Sequence, residues 1–161
     1  MTTQQTDIAL RKSITVSAPP DRAFEVFAER TSTWWPEAHH IGKSPFVDMV
    51  IEPHAGGRCF ERDADGVECD WGTVLEWQPP TKLRFAWQLT SEWAYEPDVA
   101  HATEVTVSFT SIEDGRTRVD VLHEHLERYG AAVEEMRAAL DAEDGWALTL
   151  SNFAAVLGGA E

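Results

Sequence analysis

Apolar and polar residues alternate along most of the chain, which is the pattern of β-strands that bury one face of a sheet. A first strand is predicted from Ile8 to Val16, and a second from Phe46 to Glu52. In the second strand, Val47, Met49 and Ile51 share one face, and Phe46, Asp48 and Val50 share the other. The repeated alternation predicts an antiparallel sheet with one wet face and one buried face.

Three further strands are predicted between Glu52 and Trp87, separated by residues that favour turns. Gly56-Gly57 and Asp65-Gly66 supply positive φ at little steric cost, and Pro79-Pro80 ends a strand because proline has no backbone donor. The fifth strand has the clearest pattern, with one buried face made of Leu83, Phe85, Trp87 and Leu89.

The sixth strand is predicted from Thr103 to Ile112 and the seventh from Thr117 to Leu126, joined by a tight turn at residues 113–116. Alternation in the sixth strand places Val105, Val107 and Phe109 inward. In the seventh strand the residues predicted to face the core are Val119, Val121, His123 and His125.

Helical spacing occurs in two places. A short helix begins at Pro20 or Asp21 and ends near Arg30. At the C-terminus, a stripe through Tyr129 and Leu140 is interrupted at Asp144-Gly145. A second stripe follows at helical spacing, made of Trp146, Leu150, Phe153 and Leu157.

The connection between the first helix and the second strand has an unusual composition, because Trp34-Trp35-Pro36 is closely followed by His39-His40. One interpretation is a plug that closes an end of the core. The other is a lid over the mouth of a pocket, bracketed by Pro36 and Gly42.

The predicted elements define an α+β fold. An apolar sheet face must be covered, and the C-terminal helix is the only element long enough to cover it. We therefore predict a helix-grip fold, a curved antiparallel β-sheet wrapped around a long C-terminal α-helix, with short helices between strands 1 and 2. Residues 8–161 form a single domain, and residues 1–7 a flexible N-terminal tail.

Several segments together resemble the helix-grip superfamily known as START/Bet v 1-like or SRPBCC, and within it the branch named for the activator of Hsp90 ATPase (AHSA1-like). The matching segments are Ile14–Pro20, Ala23–Phe27, Trp34–Pro36, Gly56–Arg58 with Phe60-Glu61, Trp71–Leu75, Pro79-Pro80 with Leu83, Thr103–Val105, and Arg118-Val119 with His123. The resemblance implies the fold. It leaves function open, because the superfamily includes binding proteins, lipid carriers, cyclases and co-chaperones.

Composition narrows the class of partner. The 161 residues carry a formal charge of -15, which repels phosphate backbones and anionic membranes, so neither nucleic acid nor a membrane is expected. Residues 1–7 lack the apolar core of a signal peptide, and the chain has no spanning segment, which predicts a cytoplasmic protein. Cys59 and Cys69 flank the Asp65-Gly66 turn. A two- or four-residue loop would place them on opposite faces and disfavour a disulfide.

Specific catalytic motifs are absent from the sequence. The glycines at 56–57 lack the Lys-Ser or Lys-Thr of a phosphate loop, and no zinc-ligand spacing or nucleophile elbow occurs. We therefore predict no metal and no cofactor. Two candidate catalytic residues remain, Glu61 and His123. His123 could be a satisfied core histidine, a polar anchor for a ligand or a general base, and Glu61 would join it if it faces inward.

Tryptophan is the most informative residue type, because seven are present and indoles line pockets for apolar ligands as readily as they fill cores. The favoured function is binding of a small hydrophobic or aromatic molecule between the sheet and the C-terminal helix. The alternatives are an Hsp90-type co-chaperone, with a protein partner, or a cyclase- or hydrolase-like enzyme; the protein could be a monomer or a homodimer. The predicted ligand contacts are Trp34, Trp35, His39, Trp71, Phe85, Trp87, His123 and Trp146.

Overall fold

A computed structural model describes residues 9–35, 46–92, 94–143 and 145–158 of the protein. The strands are β1 (Leu10–Val16), β2 (Phe46–Ile51), β3 (Arg58–Asp63), β4 (Glu68–Gln78), β5 (Lys82–Trp87), β6 (Thr103–Glu113) and β7 (Arg116–Glu124). The helices are α1 (Pro20–Glu29), α2 (Val133–Asp141) and α3 (Trp146–Val156), with short 3-10 turns at Thr31–Thr33, Val99–His101 and Leu126–Ala132. The predicted tail, His39, and the Pro36 and Gly42 brackets lie outside the described residues.

The seven strands form one antiparallel sheet in the order β1-β7-β6-β5-β4-β3-β2. Residues from both edge strands, Leu10 of β1 and Met49 of β2, belong to one buried cluster. A flat sheet of this width would hold its edge strands about 29 Å apart. Helix α1 nonetheless contacts both β7, next to one edge, and β2 at the other edge, so the sheet curls around the core. The predicted α+β helix-grip class is confirmed.

Alternation correctly identified the buried face of β5, where Leu83 and Phe85 are at most 1% exposed. The shared face predicted in β2 is right for Met49 and Ile51, which are buried, but wrong for Val47, which is 59% exposed. The pairing of β2 with β3 shifts register between Phe46 and Asp48, so Val47 lies in an irregularity that turns it away from the core.

The hairpin between β3 and β4 also differs from the prediction. Its loop contains Ala64, Asp65 and Gly66, with Gly66 at φ +81°, and Asp63 pairs with Val67 across it. A hairpin loop with an odd number of residues places each residue of the second strand on the opposite face from the one that a loop with an even number would give. Cys69 therefore lies directly opposite Glu61 and on the same face as Cys59, so the expected opposition of the two cysteines is wrong. Both thiols are free.

The C-terminal helical segment covers the curled face as predicted, and it is divided into α2 and α3 at the interruption predicted near Gly145. A Cβ at Gly145 would lie 2.4 Å from the Leu140 carbonyl oxygen, so the tight junction requires glycine. The predicted second stripe is buried, with Leu150 and Phe153 at most 2% exposed. No helix in the described part of the chain is long and apolar enough to cross a bilayer.

Candidate functional site

Six aromatic side chains from three strands, α3 and the segment after α1 form a continuous set of ring contacts. They are Trp35, Trp71, Phe85, Trp87, His123 and Trp146, here called the aromatic layer. Trp35 stacks on Trp71 with centroids 5.7 Å apart and planes at 21°. Trp71 meets Trp87 at 5.9 Å, and Trp87 meets Trp146 at 5.7 Å. These distances are typical of stacked and edge-to-face aromatic pairs.

A strand bulge positions one member of this layer, and the start of a helix positions another. Across β3 and β4, Cys59 pairs with Gly72 and Phe60 with Asp70, so Trp71 is the extra residue of a bulge. Gly72 is required beside it, because a Cβ there would lie 2.4 Å from the Ala86 carbonyl oxygen. At the other end of the layer, Trp146 is the first residue of α3.

Trp34 connects this layer to the rest of the core. Its ring contacts Trp35 at 5.7 Å and Phe153 at 5.4 Å, and its indole donates a 2.9 Å hydrogen bond to the Val26 carbonyl. Trp34 is 3% exposed, which agrees with the plug interpretation of this residue. All described members of the predicted ligand-binding set are thus joined by ring contacts. His39 lies outside the described residues.

His123 is completely buried on β7 and uses both ring nitrogens. The Trp146 indole N–H donates to Nδ1 at 3.1 Å, and since an indole can only donate, Nδ1 carries no proton. The proton of the neutral ring is then on Nε2, which donates to the Thr103 hydroxyl at 2.7 Å. Burial lowers the pKa of His123 from 6.5 to about 3, so the ring is neutral at physiological pH.

Thr103 and Tyr129 extend this polar end of the layer, and neither was among the predicted site residues. The Tyr129 hydroxyl donates to the Leu89 carbonyl at 3.1 Å, and burial raises the pKa of Tyr129 to about 12. Parity could have identified Thr103, because it shares the inward face of β6 with Val105. Tyr129 belongs to the predicted C-terminal stripe, but nothing in the sequence indicated that its hydroxyl faces a carbonyl.

Glu61 does face inward, as the sequence allowed. It is 1% exposed on β3, opposite Met49 of β2. Strands β4, β5 and β6 lie between it and His123, and the hydrogen bonds of both His123 nitrogens go to other residues. The structure therefore does not bring Glu61 and His123 together as an acid–base pair.

One indole donor of the layer has no acceptor among the described residues, namely Nε1 of Trp35. The Trp71 donor lies 2.9 Å from the Met49 sulfur. The Tyr129 hydroxyl interacts with Trp87, and it can accept from the Trp87 indole while it donates to the Leu89 carbonyl.

One group of side chains has a metal-compatible arrangement, namely Glu104, Glu124 and His125 at the end of the β6–β7 pair. Glu104 is already paired with Arg84 at 2.5 Å and lies 3.7 Å from Arg128. Arg84 and Arg128 already neutralise the carboxylate charge that would attract a metal ion, so we interpret the group as an ion-pair network. β7 ends at Glu124, and His125 has φ +65°, so the inward alternation predicted through His125 stops one residue earlier.

Comparison with known proteins gives consistent results. The family model described as "Activator of Hsp90 ATPase homolog 1-like protein" matches residues 17–158. Txn09, an anthrahydroquino-gamma-pyrone synthase complexed with SUM, is 39% identical over 92% of this chain and 96% of its own, with a TM-score of 0.66. CalC of Micromonospora echinospora, a self-sacrificing resistance protein, is 31% identical over 92% and 93%, with a TM-score of 0.69.

A more distant structure, protein NE0264 of Nitrosomonas europaea, shares the fold at 15% identity, with 94% of each chain covered and a TM-score of 0.61. Among curated proteins, no sequence matches this chain.

Proposed function

This chain belongs to the activator of Hsp90 ATPase homolog 1-like family, and from that premise we propose that it binds a planar aromatic small molecule against the aromatic layer. The ligand lies between the core face of the sheet and α3, in contact with Trp35, Trp71 and Trp87. The other predicted contacts, Trp34, His39, Phe85, His123 and Trp146, border that position. The two free thiols fit a reducing compartment, so we assign the protein to the cytoplasm.

The observation that carries the proposal is the aromatic layer itself. Its indole rings make one unbroken series of contacts from Trp35 to Trp146. Indole faces give a flat ligand a large apolar contact area, and a pocket of this kind uses a few polar groups for orientation. The name of Txn09, the 39% identical relative, denotes a polycyclic aromatic product, which supports the same ligand class here.

A second candidate is turnover of the ligand in the same site, which the identity to a synthase favours. His123 would be the nearest titratable group. Both of its nitrogens are occupied, so it could act as a general base only after exchanging Trp146 or Thr103 for the ligand.

Titration with a panel of planar aromatic compounds tests the proposal, with intrinsic Trp fluorescence and calorimetry as readouts. Trp35→Ala should weaken binding about ten-fold, because it removes a stacked indole face. It should weaken binding more than His123→Ala, which removes less apolar area. Trp77→Ala is the matched control, since Trp77 packs on Phe24 outside the layer.

The proposal fails if no compound in the panel binds, or if Trp77→Ala weakens binding as much as Trp35→Ala does. Mass spectrometry of the ligand recovered after incubation separates binding from turnover. An unchanged ligand at equimolar occupancy supports binding alone, and a product that accumulates beyond one equivalent supports the enzyme.

A further inference from the structure

We propose that residues 126–129 form a strap across the polar end of the aromatic layer, and that this strap opens to admit the ligand. The strap is the first part of the 3-10 segment that follows β7. This inference rests on the proposed function and specifies how its buried site is reached. It is carried by the contacts that hold the strap and by the backbone conformation at its two ends.

The aromatic layer is closed to solvent at this end. Trp71, Trp87 and Trp146 are each at most 6% exposed, so a ligand contacts their rings only after an element that covers them has moved. The strands are joined by ladders of backbone hydrogen bonds, and α3 is anchored by five buried residues, whereas the strap has one, Leu126. An element with so little buried apolar surface is the least costly of these to displace.

Two side-chain hydrogen bonds fasten the strap, and each ends on a backbone carbonyl of the connection between β5 and β6. The Tyr129 hydroxyl donates to the Leu89 carbonyl at 3.1 Å, near the start of that connection. The Arg128 guanidinium donates to the Ala102 carbonyl at 2.7 Å, at its end. The strap thus ties together both ends of one loop. Because the Tyr129 hydroxyl also interacts with Trp87, release of these bonds uncovers that side of the layer.

The strap is bracketed by two residues with positive φ. His125 before it has φ +65°, and Gly130 after it has φ +63° with ψ −123°. His125 is the one residue with a Cβ that adopts positive φ in the described part of the chain, so the closed strap holds it in a conformation that its side chain disfavours. Rotation at these two positions moves the strap as a unit, as at the hinges of other moving segments, and it relaxes His125.

The first test needs no ligand. The indole protons of Trp87 and Trp146 exchange with D2O in proportion to how often the polar end opens, and ¹H–¹⁵N spectra follow each of them. Arg128→Met removes one fastening bond, so it should speed both exchanges about five-fold. The Trp34 indole is the internal control, because it donates to a backbone carbonyl of α1 and should keep its wild-type rate. Arg22→Met removes a surface ion pair on α1 and, as the matched variant, should change none of the three rates.

The second test measures entry into the full chain of N-phenyl-1-naphthylamine, a neutral aromatic probe that fluoresces in apolar sites. Stopped-flow mixing gives its association and dissociation rate constants. Both should rise about five-fold in Arg128→Met, because a strap that opens more often speeds passage in both directions. Arg128→Lys keeps a donor for the Ala102 carbonyl and should return both rate constants toward their wild-type values.

The outcomes separate the strap from the proposed function. The strap is overturned if Arg128→Met leaves the exchange of Trp87 and Trp146 unchanged, or speeds Trp34 to the same extent, since the latter indicates a general loss of stability. It is also overturned if the probe binds with unchanged rate constants, and aromatic binding then stands without it. If the two exchanges accelerate selectively but no aromatic compound binds, the strap is supported as an opening element and the proposed function fails.

Discussion

His123 is a buried base that the fold keeps neutral, so the protein should lose stability as the pH falls below 6.5. Burial lowers its pKa from 6.5 to about 3. Between these values the unfolded chain binds a proton at this site and the folded chain does not. Acidification lowers the free energy of unfolding wherever the unfolded state takes up more protons than the folded state does. The contribution of His123 is therefore complete above pH 6.5 and is lost progressively toward pH 3.

The size of this effect follows from the size of the shift. Each pH unit within the window costs about 1.4 kcal/mol, so acidification from pH 7 to pH 5 should remove about 2 kcal/mol through His123 alone. The interval from pH 7 to pH 5 lies above the usual pKa range of carboxylates, which makes it the cleanest place to measure a histidine. The assay is urea unfolding at pH 7, 6 and 5, extrapolated to water.

His123→Gln supplies the decisive comparison. Glutamine cannot titrate, and its amide can still donate to the Thr103 hydroxyl. The variant should be less stable than wild type at pH 7 and should lack about 2 kcal/mol of the wild-type pH dependence. His101→Gln is the matched control, because His101 is 66% exposed, and it should keep the full wild-type slope. A slope that is equal in wild type and His123→Gln would refute a buried neutral His123.

Three further predictions concern stability. Leu150→Ala should cost about 2–5 kcal/mol as a buried leucine, whereas exposed Ser151→Ala should change the free energy of unfolding by less than about 0.5 kcal/mol; equal losses in urea would contradict the position of α3. A chelator and a reductant should each leave the melting temperature unchanged, and a clear drop with either would reveal a structural metal or disulfide. Trp146→Phe should cost about 1–3 kcal/mol more than Trp87→Phe, since it leaves buried His123 Nδ1 without a donor, and equal unfolding free energies would contradict that hydrogen bond.

The sequence predicted the fold correctly where the burial of a residue follows from its spacing along the chain. Alternate residues of β5 carry the core face, and the stripe through Leu150 and Phe153 carries the face of α3. Both patterns arise because side chains repeat every second residue in a strand and about every 3.6 residues in a helix. The order of elements and the fold class follow from these two periods together with the need to cover an apolar sheet.

Single-residue irregularities could not be predicted, because they change parity without leaving a strong signal in composition. The odd loop at Ala64–Gly66 places Cys69 on the core side, and the irregularity after Phe46 turns Val47 outward. Asp-Gly is compatible with loops of either parity, so the sequence alone did not decide between them. The bulge at Trp71 has the same origin.

In the candidate site, the sequence predicted which residues come together but not which hydrogen bonds they make. Aromatic composition and strand alternation were enough to assign Trp35, Trp87 and His123 to one surface, because the direction of each side chain depends on its own strand or turn. The role of each donor depends on which atom faces it across the core, and that atom comes from a distant part of the chain. His123 faces Trp146 of α3 and Thr103 of β6, while the Trp35 indole donor has no acceptor in the described part of the chain. A residue chosen as a polar anchor from sequence thus has its hydrogen bonds filled, and the unfilled one belongs to an indole that was chosen for its apolar area.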